Sequence, residues 1–101
     1  MLNKKKIAEL KAEHGENIFQ ITVPVDGKDV VFVLKEVDRL TYKAGTKMAD
    51  SDEMEAASMY LRALTIYGDV EPVIKNFASL RAAAGLLLDV ITPPKGNVVR
   101  L

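Results

Sequence analysis

The sequence predicts an α+β fold in which an N-terminal β-hairpin packs against a bundle of three to four helices. Two changes of pattern carry that prediction. In "NIFQITVPVDGKDVVFVLKEV" the apolar residues follow a period of two on either side of Asp26-Gly27, as strands require. Beyond Asp38 the spacing lengthens to the three-and-four rhythm of helices and holds until Thr92-Pro93-Pro94. A chain of 101 residues with no internal repeat, low-complexity segment or linker then reads as one domain. Its parts are a short helix in 1–15, the hairpin in 16–36, a helical part in 38–91 and a tail in 92–101.

Each element has its own reason. Ile7, Leu10 and Lys11 follow the triple lysine at helical spacing, so residues 2–13 read as a short helix ending before Gly15. Phe19, Ile21, Val23 and Val25 alternate with mostly polar neighbours, and a second strand carries Val30 to Leu34. Asp26-Gly27 between them signals a tight hairpin, because the turn needs positive φ and glycine takes it at no steric cost. Pro24 cannot donate to a ladder, which puts its strand at a sheet edge. An isolated hairpin is marginal in water and needs a surface to pack on, which the helices supply.

Asp38 is placed to cap "RLTYKAGTKMA", a helix that Gly45 should leave short or frayed. In "DSDEMEAASMYLRALTIYG" Asp50 as N-cap with Glu53 three residues on suggests a capping box, and Gly68 suggests the left-handed stop. A final helix is expected from about Val70 to Ile91, bent near Asn76, and ended by the two prolines. The "KGNVVRL" stretch reads as a loop or a short added strand.

Composition narrows the function. Fourteen basic and fourteen acidic residues cancel, which argues against a general nucleic-acid binder. Cysteine is absent, so thiolate chemistry and disulfides are excluded. No apolar run approaches the roughly 20 residues of a membrane span, and the basic start lacks the apolar core of a secretory signal. These points describe an intracellular protein with no membrane contact.

The chemistry-bearing residues have plain structural roles open to them. His14 is the only histidine and sits where a cation suits a helix end, with no partner suggesting a base. Asp50, Asp52, Glu53 and Glu55 lack the alternating ligands and central glycine of an EF-hand, and acids suit a first helical turn. Lys4, Lys5 and Lys6, with Lys11, have no interleaved aromatic residue for stacking bases. Gly27 and Gly68 belong to no phosphate-cradling motif, and Asp69 is a natural N-cap. No nucleophile–base pair, metal set or cofactor loop is evident, so neither an enzyme nor a cofactor is expected.

What remains is a surplus of apolar helix. Met54, Ala57, Leu61 and Leu64 form one stripe, and Ala56, Tyr60, Ala63 and Tyr67 a second, extended by Met59 and Ile66. In the last helix Phe77, Leu80, Ala84, Leu87 and Ile91 line one face, widened by Ala83, Leu86 and Val90, and "RAAAGLLLDV" offers small residues for close helix approach. A helix apolar all round is normally buried, yet a small domain has little material to cover two of them. Self-association or partner binding is the expectation, with one compact monomer core that covers both helices as the alternative. The candidate contact surface is Met54, Met59, Tyr60, Ala63, Ile66, Tyr67, Ala83, Leu86 and Val90, with a groove between the last two helices to receive an amphipathic partner helix.

The succession "KIAELKAEHGENIFQITV", "VVFVLKEVDRLTYKAG" and "DEMEAASMYLRALTIYGD" resembles the small tail assembly chaperones of long-tailed bacteriophages and prophages. His14-Gly15, Asp38-Arg39 and Gly68-Asp69 carry most of the likeness, which spans roughly residues 5–91. The resemblance implies a non-enzymatic protein of the bacterial host cytoplasm that self-associates. It also implies binding to the tape measure protein, help in recruiting tail tube protein, and absence from the finished virion. The rival readings are another small phage structural protein, such as a tail-completion or head–tail joining subunit, and a small intracellular binding or regulatory module.

Overall fold

A computed structural model of the chain, describing residues 2–92 and 96–101, shows an α+β architecture. The first helix, α1 (Lys4–His14), is capped by Asn3, whose side chain accepts from the Lys6 N–H at 2.8 Å. It closes at Gly15, whose φ of +95° suits a residue without a Cβ. Strands β1 (Ile18–Val25) and β2 (Lys28–Lys35) follow as an antiparallel hairpin in continuous register from Ile18↔Lys35 to Val25↔Lys28. Both turn residues, Asp26 and Gly27, have positive φ (51° and 80°), the combination that matches strand twist across a two-residue loop.

β1 is an edge strand of a three-stranded sheet ordered β1-β2-β3. With Val25 and Lys28 closing the turn, ladder alternation directs the Pro24 nitrogen and carbonyl outward. The missing N–H therefore breaks no ladder bond. The carbonyl is used: the Ser79 hydroxyl donates to it at 2.6 Å, tying the sheet edge to the last helix.

The helical part begins with α2 (Arg39–Ala49), capped by Asp38, and runs unbroken through Gly45. The expectation of fraying there fails because Gly45 is a contact point. A Cβ at that position would overlap the Tyr60 ring, so glycine lets α2 close down on the next helix. That helix, α3 (Glu53–Leu64), is capped by Asp52 rather than Asp50. The Asp52 carboxylate accepts from the N–H groups of Met54 and Glu55, while Asp50 belongs to the end of α2.

α3 also stops earlier than expected. Thr65, Ile66 and Tyr67 leave it to form β3 (Thr65–Tyr67), antiparallel to β2 at Val33↔Tyr67 and Leu34↔Thr65. These β-branched and aromatic residues suit a pleated surface, and β2 has an open edge to receive them. Gly68 does carry a positive φ of 91°, but it ends this strand instead of the helix. A Cβ there would come 2.7 Å from the Val31 carbonyl oxygen, so both conformation and space demand glycine.

The expected bend near Asn76 is a full break. α4 (Glu71–Lys75) is a single turn, with the Asp69 carboxylate accepting from the Glu71 N–H. α5 (Phe77–Ile91) restarts with Asn76 as N-cap, accepting from the Ser79 N–H at 3.1 Å. The Asn76 amide also donates to Asp26 at 3.3 Å, so the hairpin turn and the helix break brace each other.

One core joins these parts. Ile21, Val23, Phe32 and Leu34 from the hairpin meet Leu61 and Leu64 of α3, Val73 of α4, and Leu80, Ala83, Leu87 and Val90 of α5. Leu10 and Val33 are buried outside this cluster. Alternation places Val33 on the opposite face of the sheet from Phe32 and Leu34. The last residues, 96–101, have no regular structure and add no strand.

Candidate functional site

The apolar surplus is distributed differently from what helical spacing implies. Most of α3 is covered within one chain: Ala56, Ala57, Ser58, Tyr60, Leu61 and Leu64 are all buried. The sheet, α2 and α5 together supply enough cover, because α2 lies flush on α3 at Gly45. Three of the nine candidate contact residues, Tyr60, Ala83 and Val90, are therefore core residues. Tyr60 fills the α2–α3 seam, with its hydroxyl donating to the Tyr42 carbonyl at 3.3 Å, and burial pushes that hydroxyl's pKa up.

The other six divide. Met54 and Met59 are half-buried and pack against the core, whereas Ala63 is exposed beside Arg62, which pairs with Glu71 at 3.1 Å. Ile66 and Tyr67 are half-buried strand residues, so they do not extend a helical stripe. Leu86 is exposed but lies outside the groove described next. In α5 the buried stripe is Ser79, Leu80, Ala83, Leu87 and Val90, which leaves Phe77 outside.

A groove does open between α3 and α5, as expected for the last two long helices. It measures about 430 Å³. Met54, Ala57 and Tyr60 form its α3 wall, Ala84, Gly85, Leu88 and Ile91 its α5 wall, with Glu53 and Arg81 at the rim. Leu88 is 60% exposed and Phe77, a little further along α5, is 64% exposed. Helical periodicity put Leu87 on the core face but widened that face toward Leu86, and so missed Leu88 and Gly85. Only Leu87 is taken by the core, at 2% exposure.

A second groove of about 610 Å³ lies where the end of α5 meets the strand ends and the start of α2. Phe19, Val37, Tyr42, Val90 and Ile91 make it apolar, and Glu36, Asp38 and Asp89 give it an acidic rim with Arg39 opposed. Hydrogen bonding to Thr41 holds the Asp38 carboxyl below its usual pKa. Leu40 and Tyr42 of α2 are exposed beside it.

Among the described residues no three His, Cys, Asp or Glu side chains stand together as a metal set, and no helix is long and apolar enough to cross a membrane. His14 ends α1 and faces the Glu13 carboxylate at 3.6 Å. Asp52 caps α3, whereas Val70 rather than Asp69 is the N-cap of α4, and Asp69 accepts from the Glu71 N–H just outside it. The α3–α5 groove presents an apolar surface between two helices. No protein-family model, curated protein or solved structure matches this chain.

Proposed function

We infer that this chain is a non-catalytic assembly chaperone of the long-tailed phage or prophage kind, which shields an apolar stripe of the helical tape measure protein during tail morphogenesis. The observation that supports this reading most is the open α3–α5 groove, with apolar walls and the exposed Leu88 beside it. Its place between two helices suits a third helix, and Met54 gives one wall a side chain that adapts to different partners. A partner carrying leucines at helical spacing would bury Leu88 and Ile91 and replace water over Ala84 and Gly85. In this reading a bound helix is kept from aggregating until its own partners arrive.

The test is fluorescence anisotropy of a labelled amphipathic helical peptide drawn from a tape measure protein, titrated with the full chain. Binding that is lost in Leu88→Glu but kept in Leu40→Glu, on the far helix, supports the groove as the site. No binding, or equal loss in both variants, overturns the assignment. Mass spectrometry of purified virions supplies a second check, since an assembly chaperone should be absent and a connector subunit present.

A further inference from the structure

The outer face of α5 carries a symmetry that the core does not explain. Its exposed residues include Phe77, Arg81, Gly85, Leu88 and Asp89. At about 100° and 1.5 Å per residue, Arg81 and Asp89 lie about 6 Å either side of Gly85 along the axis and about 40° either side around it. Neither side chain forms an ion pair among the described residues. Asp89 also stands in the last turn of α5, where no basic residue offsets the negative end of the helix dipole. A cation arriving from outside would be favourable there.

Gly85 adds an independent point. A Cβ at this position meets nothing within 4 Å, so the chain itself has no steric need for glycine. Glycine inside a helix is less favourable than alanine, and the bare backbone serves only something that approaches from outside.

We propose that a second copy of this chain covers this face: two α5 helices pack antiparallel about a two-fold axis and cross at Gly85. In that arrangement a residue n places before Gly85 meets the level of the residue n places after it on the partner. Arg81 of each copy then reaches Asp89 of the other, giving two equivalent ion pairs from one helix, as a self-complementary interface requires. The same rule brings Leu88 level with Ala82, a large residue over a small one, and lets the backbones close at the paired glycines.

The contact is limited to one helix of 15 residues from each copy, whereas a standard stable interface draws about 20–30 residues from each side. The dimer therefore dissociates readily. Gly85 and Leu88 also line the α3–α5 groove, so pairing and partner-helix binding exclude each other. That last step rests on the proposed function; the pairing itself does not.

Sedimentation velocity of the full chain across the micromolar range tests the pairing. The expected result is a mass rising from 11.1 kDa toward twice that value. Arg81→Glu and Asp89→Arg should each raise the dimer dissociation constant by about tenfold or more, and the double reversal should restore it. Gly85→Leu should remain folded by circular dichroism and be monomeric. A wild-type chain that stays monomeric, or reversals that do not rescue each other, overturn the pairing. Asp89→Arg, whose side chain is outside the α3–α5 groove, should bind the tape measure peptide at lower protein concentration than wild type. If it is monomeric and binds no peptide, the chaperone reading fails while the pairing stands. If wild type is monomeric and binds the peptide, the reverse holds.

Discussion

Gly45 and Gly85 both sit inside helices, yet a methyl group added at each meets opposite surroundings. At Gly45 it collides with the Tyr60 ring, which cannot swing aside because it is buried and its hydroxyl is bonded to the Tyr42 carbonyl. Gly45→Ala should cost about 1–3 kcal/mol through overpacking, read as a lower urea midpoint. Gly85→Ala should instead raise stability by roughly 0.8–1 kcal/mol, since an exposed helix position gains propensity and loses no space. Leu87 and Leu88 make a similar contrast one residue apart. Leu87→Lys places a charge in the core at a 2% exposed site and should unfold the chain. Leu88→Lys, at a 60% exposed site, should leave the urea midpoint almost unchanged.

The elements were legible in the sequence where local chemistry decides them. The hairpin was readable because Asp26-Gly27 admits few other conformations, and Asp38 was readable as a cap because an acid preceded a helical run. The missed boundaries turn on contacts far along the chain. Asp50 and Asp52 are equivalent as local capping signals, and the choice of Asp52 follows from α2 extending to Ala49, which in turn rests on Gly45 meeting Tyr60. Likewise Thr65-Ile66-Tyr67 continues a helical pattern until β2 offers an edge 31 positions earlier in register, at Leu34↔Thr65. Two measurements follow at this scale. Asp52→Ala should cost about 1 kcal/mol by removing the acceptor for two N–H groups at the start of α3. The Asp38 cap should be sensitive to acid, because its carboxyl titrates lower in the folded chain than in the unfolded one. Its contribution is then complete above the unfolded value near pH 4 and fades as pH falls through the folded value. The gap in urea midpoint between wild type and Asp38→Ala should accordingly be present at neutral pH and close in acid.

At the scale of the molecule, fold class and the existence of a helix groove could be foreseen, while the choice of exposed residues could not. A stripe count treats every apolar residue on a helix as needing cover. The folded chain satisfies α3 from three sides and leaves its unmet demand on the outer faces of α2 and α5. The tail is the other uncovered part. Val98 and Val99 are 96% and 70% exposed, and Leu101 has no neighbour shielding it. Burial of such side chains would each contribute about 1.5–3 kcal/mol, and here that contribution is absent. The radius of gyration of 14.7 Å exceeds the roughly 13 Å of a compact domain of about 100 residues, which an outlying tail helps to explain. Deleting residues 96–101 should therefore leave both the urea midpoint and the slope of the transition unchanged, because no surface protected in the folded state is lost. Small-angle scattering of the truncated chain, at concentrations where it is monomeric, should give a smaller radius of gyration. A lower midpoint with a shallower slope would mean instead that these apolar residues are buried in solution.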